Sequence, residues 1–149
     1  MASRYGLEIR AATVGDAAGI ADLLRACGHP VAADALAERI EALRHGPGAI
    51  LVAVEWGPPS GLVVLHWYPS LAANLPTAQV TTLLVAPDAR RRGIGRLLLK
   101  AASQAARSAG CGDLQLITGP GQTDLQAFGA ATGFLDRGVV SVRPLRKKG

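Results

Sequence analysis

The run Arg90-Arg91-Arg92-Gly93-Ile94-Gly95 concentrates positive charge and missing side chains in one short stretch. It stands between an apolar segment ending at Val85 and a long amphipathic segment opening at Ile94. The first turn of a helix carries backbone N–H groups with no partner inside the helix, and these groups together with the macrodipole attract an anion. Glycine at 93 and 95 removes the Cβ atoms that would hold a phosphate away from the backbone. Arg90, Arg91, Arg92 and Arg96 add mobile positive charge, and the chemistry so predicted is phosphate binding. Two common nucleotide loops fail on spacing. The chain has no Gly-x-x-x-x-Gly-Lys-Ser/Thr, and Leu98 stands where a dinucleotide fingerprint requires a third glycine.

Other side chains able to do chemistry are scattered. His66, on an apolar strand before a central loop, is the best candidate for a general base, although a lone histidine there commonly has a structural role. His29, in a loop between two helices, is a candidate to line a substrate pocket, and Tyr68 is a candidate to supply a hydroxyl from the loop region after His66. Asp124 suits the start of a helix better than catalysis. Trp56 and Trp67 read as packing or pocket wall. Cys27 and Cys111 lie far apart with no metal-ligand spacing, so they read as free thiols and small hydrophobes, and no metal site is expected.

The elements that must position these residues follow from hydrophobic period. Residues 7–11 read as a short strand. Thr13-Val14-Gly15-Asp16 has the spacing of a capping box, and the helix after it places Ile20, Leu23, Leu24 and Cys27 on one face. Gly28-His29-Pro30 stops that helix, and a second spans residues 32–44 with Leu36, Ile40 and Leu43 inward. Residues 49–55 and 62–67 are apolar and β-branched, and the turn chemistry of Gly57-Pro58-Pro59-Ser60-Gly61 between them predicts a hairpin. Residues 69–76 read as irregular loop and residues 79–85 as a third long strand. Residues 94–109 form the strongest helix pattern, with Ile94, Leu97, Leu98, Ala101, Ala102 and Ala105 on one face. Residues 113–118 read as a strand. Residues 123–132 read as a short helix capped by Thr123, and residues 139–144 as a last strand. The order is β, α, α, β, β, β, α, β, α, β, with a strand–helix–strand unit at its centre expected to be a right-handed parallel crossover.

Bulk properties narrow the class. A chain of 149 residues predicts a single domain, residues 1–149, with an aliphatic core because aromatics are few. The start of the sequence has no apolar run and no segment approaches the length of a membrane span, so a cytoplasmic protein without a membrane partner is expected. The net charge of +5 favours negatively charged partners. One basic cluster is the arginine turn with Lys100; the other, Arg143, Arg146, Lys147 and Lys148, reads as a solvated tail. Aromatics are not interleaved with these charges, which argues against a nucleic-acid partner.

Taken together, strand, Val85-x-Pro87, Arg-x-x-Gly-x-Gly, amphipathic helix, strand and a short helix ending in Gly133-Phe134 resemble the Gcn5-related N-acetyltransferase (GNAT) family. The resemblance runs from Glu8 to Leu145. It is most specific at residues 90–95, which look like the family's Gln/Arg-x-x-Gly-x-Gly/Ala motif, and Phe128 with Gly133-Phe134 looks like its later Phe-Tyr-x-x-x-Gly-Phe element. The resemblance implies an α/β (α+β) mixed sheet, mostly antiparallel, with a splayed central parallel strand pair and helices on both faces. It implies acetyl-CoA as co-substrate and an amine acceptor. Amides from Arg91 to Arg96 would hold the pyrophosphate, an arginine among 90–92 would meet the phosphates, and the backbone of Leu83-Leu84-Val85 would pair with the pantetheine arm. A backbone N–H near Val85 would polarise the thioester carbonyl. The side chains of Leu83 and Val85 keep the ordinary role of strand core. Phe128 would join the cofactor site. Homodimers are common in the family.

The sequence departs from the family where acid–base help is expected. Gly129 occupies the place of a frequent tyrosine acid, and the frequent carboxylate base falls near Thr81, with Gln79 the nearest alternative. Two functions therefore remain open from sequence: an acetyl-CoA-dependent N-acetyltransferase acting by direct transfer in a ternary complex, or an acyl-CoA-binding sensor of the same fold with weak or no turnover.

Overall fold

In a computed structural model, which describes residues 6–146, the chain forms one sheet of five strands in the order β1-β2-β3-β4-β5. These are β1 (Glu8–Ala11), β2 (Gly48–Val54), β3 (Gly61–Tyr68), β4 (Thr77–Val85) and β5 (Asp113–Leu116). Strands β1 to β4 pair antiparallel in succession, and β4 and β5 are parallel. Lys147 and Lys148 of the basic tail, and the first five residues of the N-terminal stretch, lie outside the described residues.

Each face of the sheet is apolar for a different reason. Successive strand side chains point to opposite faces, so Leu51, Val63, Leu65, Ala78 and Val80 meet helix α3 (Ile94–Ser108), whose Ile94, Leu98, Ala101, Ala102 and Ala106 are buried against them. Ile50, Val52, Leu62 and Val64 face the other way. They are covered by α1 (Ala17–Ala26) and α2 (Ala33–Arg44) through Ile20, Leu23, Leu36 and Ile40. The helices therefore lie on both faces, as the resemblance implies. The β2–β3 turn presses close to α1: a Cβ at Gly19 would lie 2.6 Å from Pro59 Cδ.

Three local expectations need correction. The last predicted strand, residues 139–144, does not form: its residues pair with no strand, and Val139, Val140 and Val142 are exposed. Alternating apolar residues supply a face but no ladder, and a strand without a hydrogen-bonded neighbour has nothing to hold it. Thr123 does not cap the last helix, α4 (Thr123–Ala131). It is the first helical residue, and Gln122 holds the cap position with its Oε1 accepting from Gly119 N–H at 2.5 Å. Trp56 is neither packing nor pocket wall, being 85% exposed in the β2–β3 turn, whereas Trp67 is half-buried against the α3 side of the core.

Candidate active site

The site begins where β4 and β5 part. β5 pairs with β4 only over Thr77–Val80, and the final bond is Ile117 N–H to Val80 O at 3.1 Å. Residues 81–85 of β4 continue past it with their β5-side edge unpaired. On the other side the register with β3 skips Thr81, stepping from Val64↔Thr82 to Leu65↔Val80. Thr81 is thus the extra residue of a β-bulge, which bends the strand at the apex of the gap.

The register also decides which backbone groups face the gap. Ala86 N–H donates to Ser60 O at 2.8 Å, so 86 and 60 are a hydrogen-bonded pair. Bonded and non-bonded pairs alternate along an antiparallel ladder. Residues 84 and 82 therefore bond to β3, while the N–H and C=O groups of Leu83 and Val85 point away from it. Two contacts agree with this direction: Arg90 Nε donates to Val85 O at 3.3 Å, and Cys27 Sγ approaches the same oxygen at 3.7 Å.

The arginine–glycine turn closes the wide end of the gap. Arg91 has φ 64° and Gly93 φ 77°, so the chain bends twice through left-handed conformations before α3 starts. The first helical bond is Leu97 N–H to Gly93 O at 3.1 Å. The N–H groups of Ile94, Gly95 and Arg96 consequently have no partner within the helix, no side chain caps it, and its first turn carries no acidic residue. Arg91, Arg92, Gly93 and Arg96 are exposed, and only the Ile94 side chain turns inward. A Cβ at Gly93 would meet nothing within 4 Å. Such a turn fits a diphosphate: it offers several N–H donors, added positive charge and an open approach.

The arginines divide their tasks. Arg92 is ion-paired with Glu55, and Arg90 leans onto Val85 O. Arg91 and Arg96 form no ion pair among the described residues.

Phe128 of α4 borders the same turn. A Cβ at Gly95 would lie 3.5 Å from Phe128 Cζ and 3.9 Å from Val85 Cγ2. The structure thus brings Val85, Gly95, Phe128 and Cys27 together around the gap. Cys27, read from sequence as a free thiol and small hydrophobe on the inward face of the first helix, was missed as a neighbour of the gap. No local signal could have found it, because its neighbour is 58 residues away. Gly129, where a tyrosine was expected, faces β5, and a Cβ there would be 3.1 Å from Leu116 Cδ2.

His66 and Thr81 meet at the apex: His66 Nε2 is 3.1 Å from Thr81 Oγ1. His66, Gln79 and Gln115 form one row across three strands, and Gln79 Nε2 donates to Tyr68 Oη at 3.1 Å and to Gln115 Oε1 at 2.7 Å. On this face α1 and α2 pack against Ile50, Val52, Leu62 and Val64, and the polar row lies outside that apolar cluster. His29 and Asp124 are exposed and join none of these contacts, although His29 N–H bonds Leu24 O. Cys111 packs by the α3 core, where burial pushes its thiol up from the ordinary value. A shallow recess of about 590 Å³ lined by Val14, Ala37, Glu38, Glu41, Ala42 and His45 shares no residue with the gap, and the backbone register locates the site better than that hollow does. No group of side chains able to hold a metal ion occurs among the described residues, and none of their helices is long and apolar enough to cross a membrane.

This mixed sheet, in which the parallel strands β4 and β5 part beside the uncapped N-terminus of α3, matches the folds of GNAT acetyltransferases. The chain belongs to the Acetyltransferase (GNAT) family, whose sequence profile matches residues 18–134. Membership makes it a transferase of acyl groups. A search of curated protein sequences finds no match. Among solved structures, an acetyltransferase of Trypanosoma brucei is similar with a TM-score of 0.80 and 21% identity, over 93% of this chain and 99% of that one. The aminoglycoside N-acetyltransferase AAC(6')-Iy, solved in complex with CoA, is similar with a TM-score of 0.79 and 22% identity, over 94% of this chain and 95% of that one. Glucosamine-6-phosphate N-acetyltransferase from Arabidopsis thaliana has a TM-score of 0.79 and 15% identity, over 94% of this chain and 99% of that one. At these identities the likeness is one of fold.

Proposed function

We propose that this protein is an N-acetyltransferase of one domain that moves an acetyl group from acetyl-CoA to a primary amine within a ternary complex. The observation that carries the reading is the unpaired gap-side edge of β4 lying beside the uncapped first turn of α3. Acetyl-CoA supplies an activated thioester, whose thiol is a tolerable leaving group. The N–H groups of Ile94, Gly95 and Arg96 hold the diphosphate, with Arg91 and Arg96 reaching it from solvent. The backbone of Leu83 and Val85 pairs with the pantetheine amides; a carbonyl has two lone pairs, so Val85 O can accept a further bond beside Arg90. Gap-facing N–H groups polarise the carbonyl that receives the amine, in the manner of an oxyanion hole. Phe128 packs over the turn at Gly95. His66, beside the bulge, takes the amine proton, and Thr81 orients its ring. The same reading places the protein in the cytoplasm, with a homodimer as the arrangement common in the family.

The test is calorimetric titration of acetyl-CoA together with a thiol-release assay over an amine panel. His66→Ala is expected to lower kcat roughly 10²–10⁴-fold while leaving the affinity for acetyl-CoA unchanged. An unchanged kcat in the folded variant would remove His66 from the chemistry. Gly129 favours a second reading, an acyl-CoA sensor, because no hydroxyl stands there to protonate the departing sulfur. Tight binding with no thiol release on any acceptor supports that reading.

A further inference from the structure

We propose that Gln79, Gln115 and Tyr68 form a carboxamide-recognition site, so that the acceptor is a primary amine carrying an adjacent amide group. The proposal rests on the N-acetyltransferase reading above and names the substrate class for that same gap.

Gln79 Nε2 spends its hydrogens on Tyr68 Oη at 3.1 Å and Gln115 Oε1 at 2.7 Å. A primary amide has two N–H donors and one carbonyl oxygen. What remains at the pair is therefore Gln79 Oε1 as acceptor and Gln115 Nε2 as donor, on neighbouring strands in register. An amide group presents the complement, an N–H for Gln79 and a C=O for Gln115. The Tyr68 hydroxyl, already accepting, keeps its own hydrogen to donate.

Position and charge point the same way. Gln79 lies two residues before Thr81 on β4, a spacing of roughly 7 Å along a strand. An amine seated at the His66–Thr81 contact would place a carboxamide on the adjoining atoms within reach of that row. Around this row the register puts His66, Tyr68, Thr77, Gln79, Thr82, Asp113 and Gln115 on one face, with Thr81 joined to it through His66, and of these only Asp113, opposite Thr77 at the rim, is acidic. A polycationic acceptor would need several carboxylates to offset its charge. Neutral amide and hydroxyl groups instead match a ligand that is itself neutral beyond its single amine.

The test uses the full chain. Acetyl-CoA is titrated calorimetrically, L-alaninamide is titrated into the protein–CoA complex, and acetylation is followed for L-alaninamide, L-alanine methyl ester and spermidine. The ester keeps an amine of similar basicity but lacks the amide N–H. Alaninamide is expected to show a KM about 10-fold below that of the ester, the worth of one hydrogen bond. Gln79→Leu and Gln115→Leu should each raise the alaninamide KM and weaken its calorimetric binding by about 10-fold, with the KM for acetyl-CoA unchanged. The inference is overturned if amide and ester behave alike, if spermidine is the better acceptor, if neither variant changes the preference, or if a protein that binds acetyl-CoA neither binds nor acetylates alaninamide. Failure to bind acetyl-CoA at all would overturn the N-acetyltransferase reading first, and the first titration isolates that outcome.

Discussion

Gly95 in the first turn of α3 faces the ring of Phe128 in α4, and a Cβ added at Gly95 would sit 3.5 Å from Phe128 Cζ. That distance is ordinary contact, so the backbone tolerates a methyl group there, but branches beyond it must enter the space between Phe128 and Val85. Gly95→Val is expected to keep the fold, since valine is no worse than glycine in a helix. It should lower acetyl-CoA affinity by at least about 10-fold, a loss of about 1.4 kcal/mol. Calorimetry on the folded variant checks this, and undiminished affinity would move the diphosphate elsewhere.

The arginines of the turn should not be equivalent. Arg92 is held by Glu55, whereas Arg91 and Arg96 are exposed and form no ion pair among the described residues. Arg91→Ala and Arg96→Ala should weaken acetyl-CoA binding several-fold, with losses that shrink as salt rises. Arg92→Ala should cost less, and Glu55→Gln should leave binding unchanged or strengthen it, since an exposed pair is worth about 0–1 kcal/mol. Titrations at two ionic strengths read this order; a larger loss for Arg92→Ala would reverse the assignment.

Gly61 positions the whole turn from below. A Cβ there would lie 2.8 Å from Leu98 Cδ1, 3.0 Å from Ile94 Cγ2 and 3.2 Å from Leu84 O. Gly61 therefore lets the first turns of α3 lie close on β3 beside the gap. Gly61→Val should destabilise the fold by about 1–3 kcal/mol through overpacking. It should also lower acetyl-CoA affinity, because α3 can move only away from the sheet. Urea unfolding and calorimetry measure the two effects; a variant as stable as the parent would contradict the packing.

A pH effect is expected away from the site. The Arg10 guanidinium bonds both oxygens of the Asp16 carboxylate at 2.8 Å, and the Thr13 N–H adds a third bond. These contacts, the Arg10 bonds foremost, lower the carboxyl pKa from the ordinary 3.8 to about 2. A depressed folded-state pKa stabilises above the unfolded value, and that stability is lost as pH falls from near 3.8 toward 2. Asp16→Asn should cost about 1–2 kcal/mol at neutral pH, after allowing for partial solvent screening. The difference from the parent should be mostly lost by pH 2 and vanish below it. Urea unfolding across pH follows it, and a gap that persists at low pH would show that ionisation is not its source.

Much of the fold was legible because it rests on short-range pattern. The period of Ile94, Leu98, Ala101 and Ala102 marked α3, the β-branched runs marked β2 and β3, and Gly57-Pro58-Pro59-Ser60 marked their turn. Residues 139–144 show the limit. Apolar alternation there met the pattern of a strand, yet pairing requires a neighbour that no local pattern can supply.

What the sequence determined by itself is the make-up of the Arg90–Gly95 turn, the element proposed to bind an anion. Glycine's missing Cβ, arginine's charge and the start of a strong helix are properties of adjacent residues. Tertiary structure alone decided the rest of the site: which edge of β4 is unpaired, that Thr81 is the bulge residue that meets His66, that Glu55 holds Arg92, and that Cys27 reaches Val85. Each of these depends on strand register and on contacts between residues far apart in the chain. A one-residue change of register reverses which backbone groups and side chains face the gap, and nothing within a single segment records that choice.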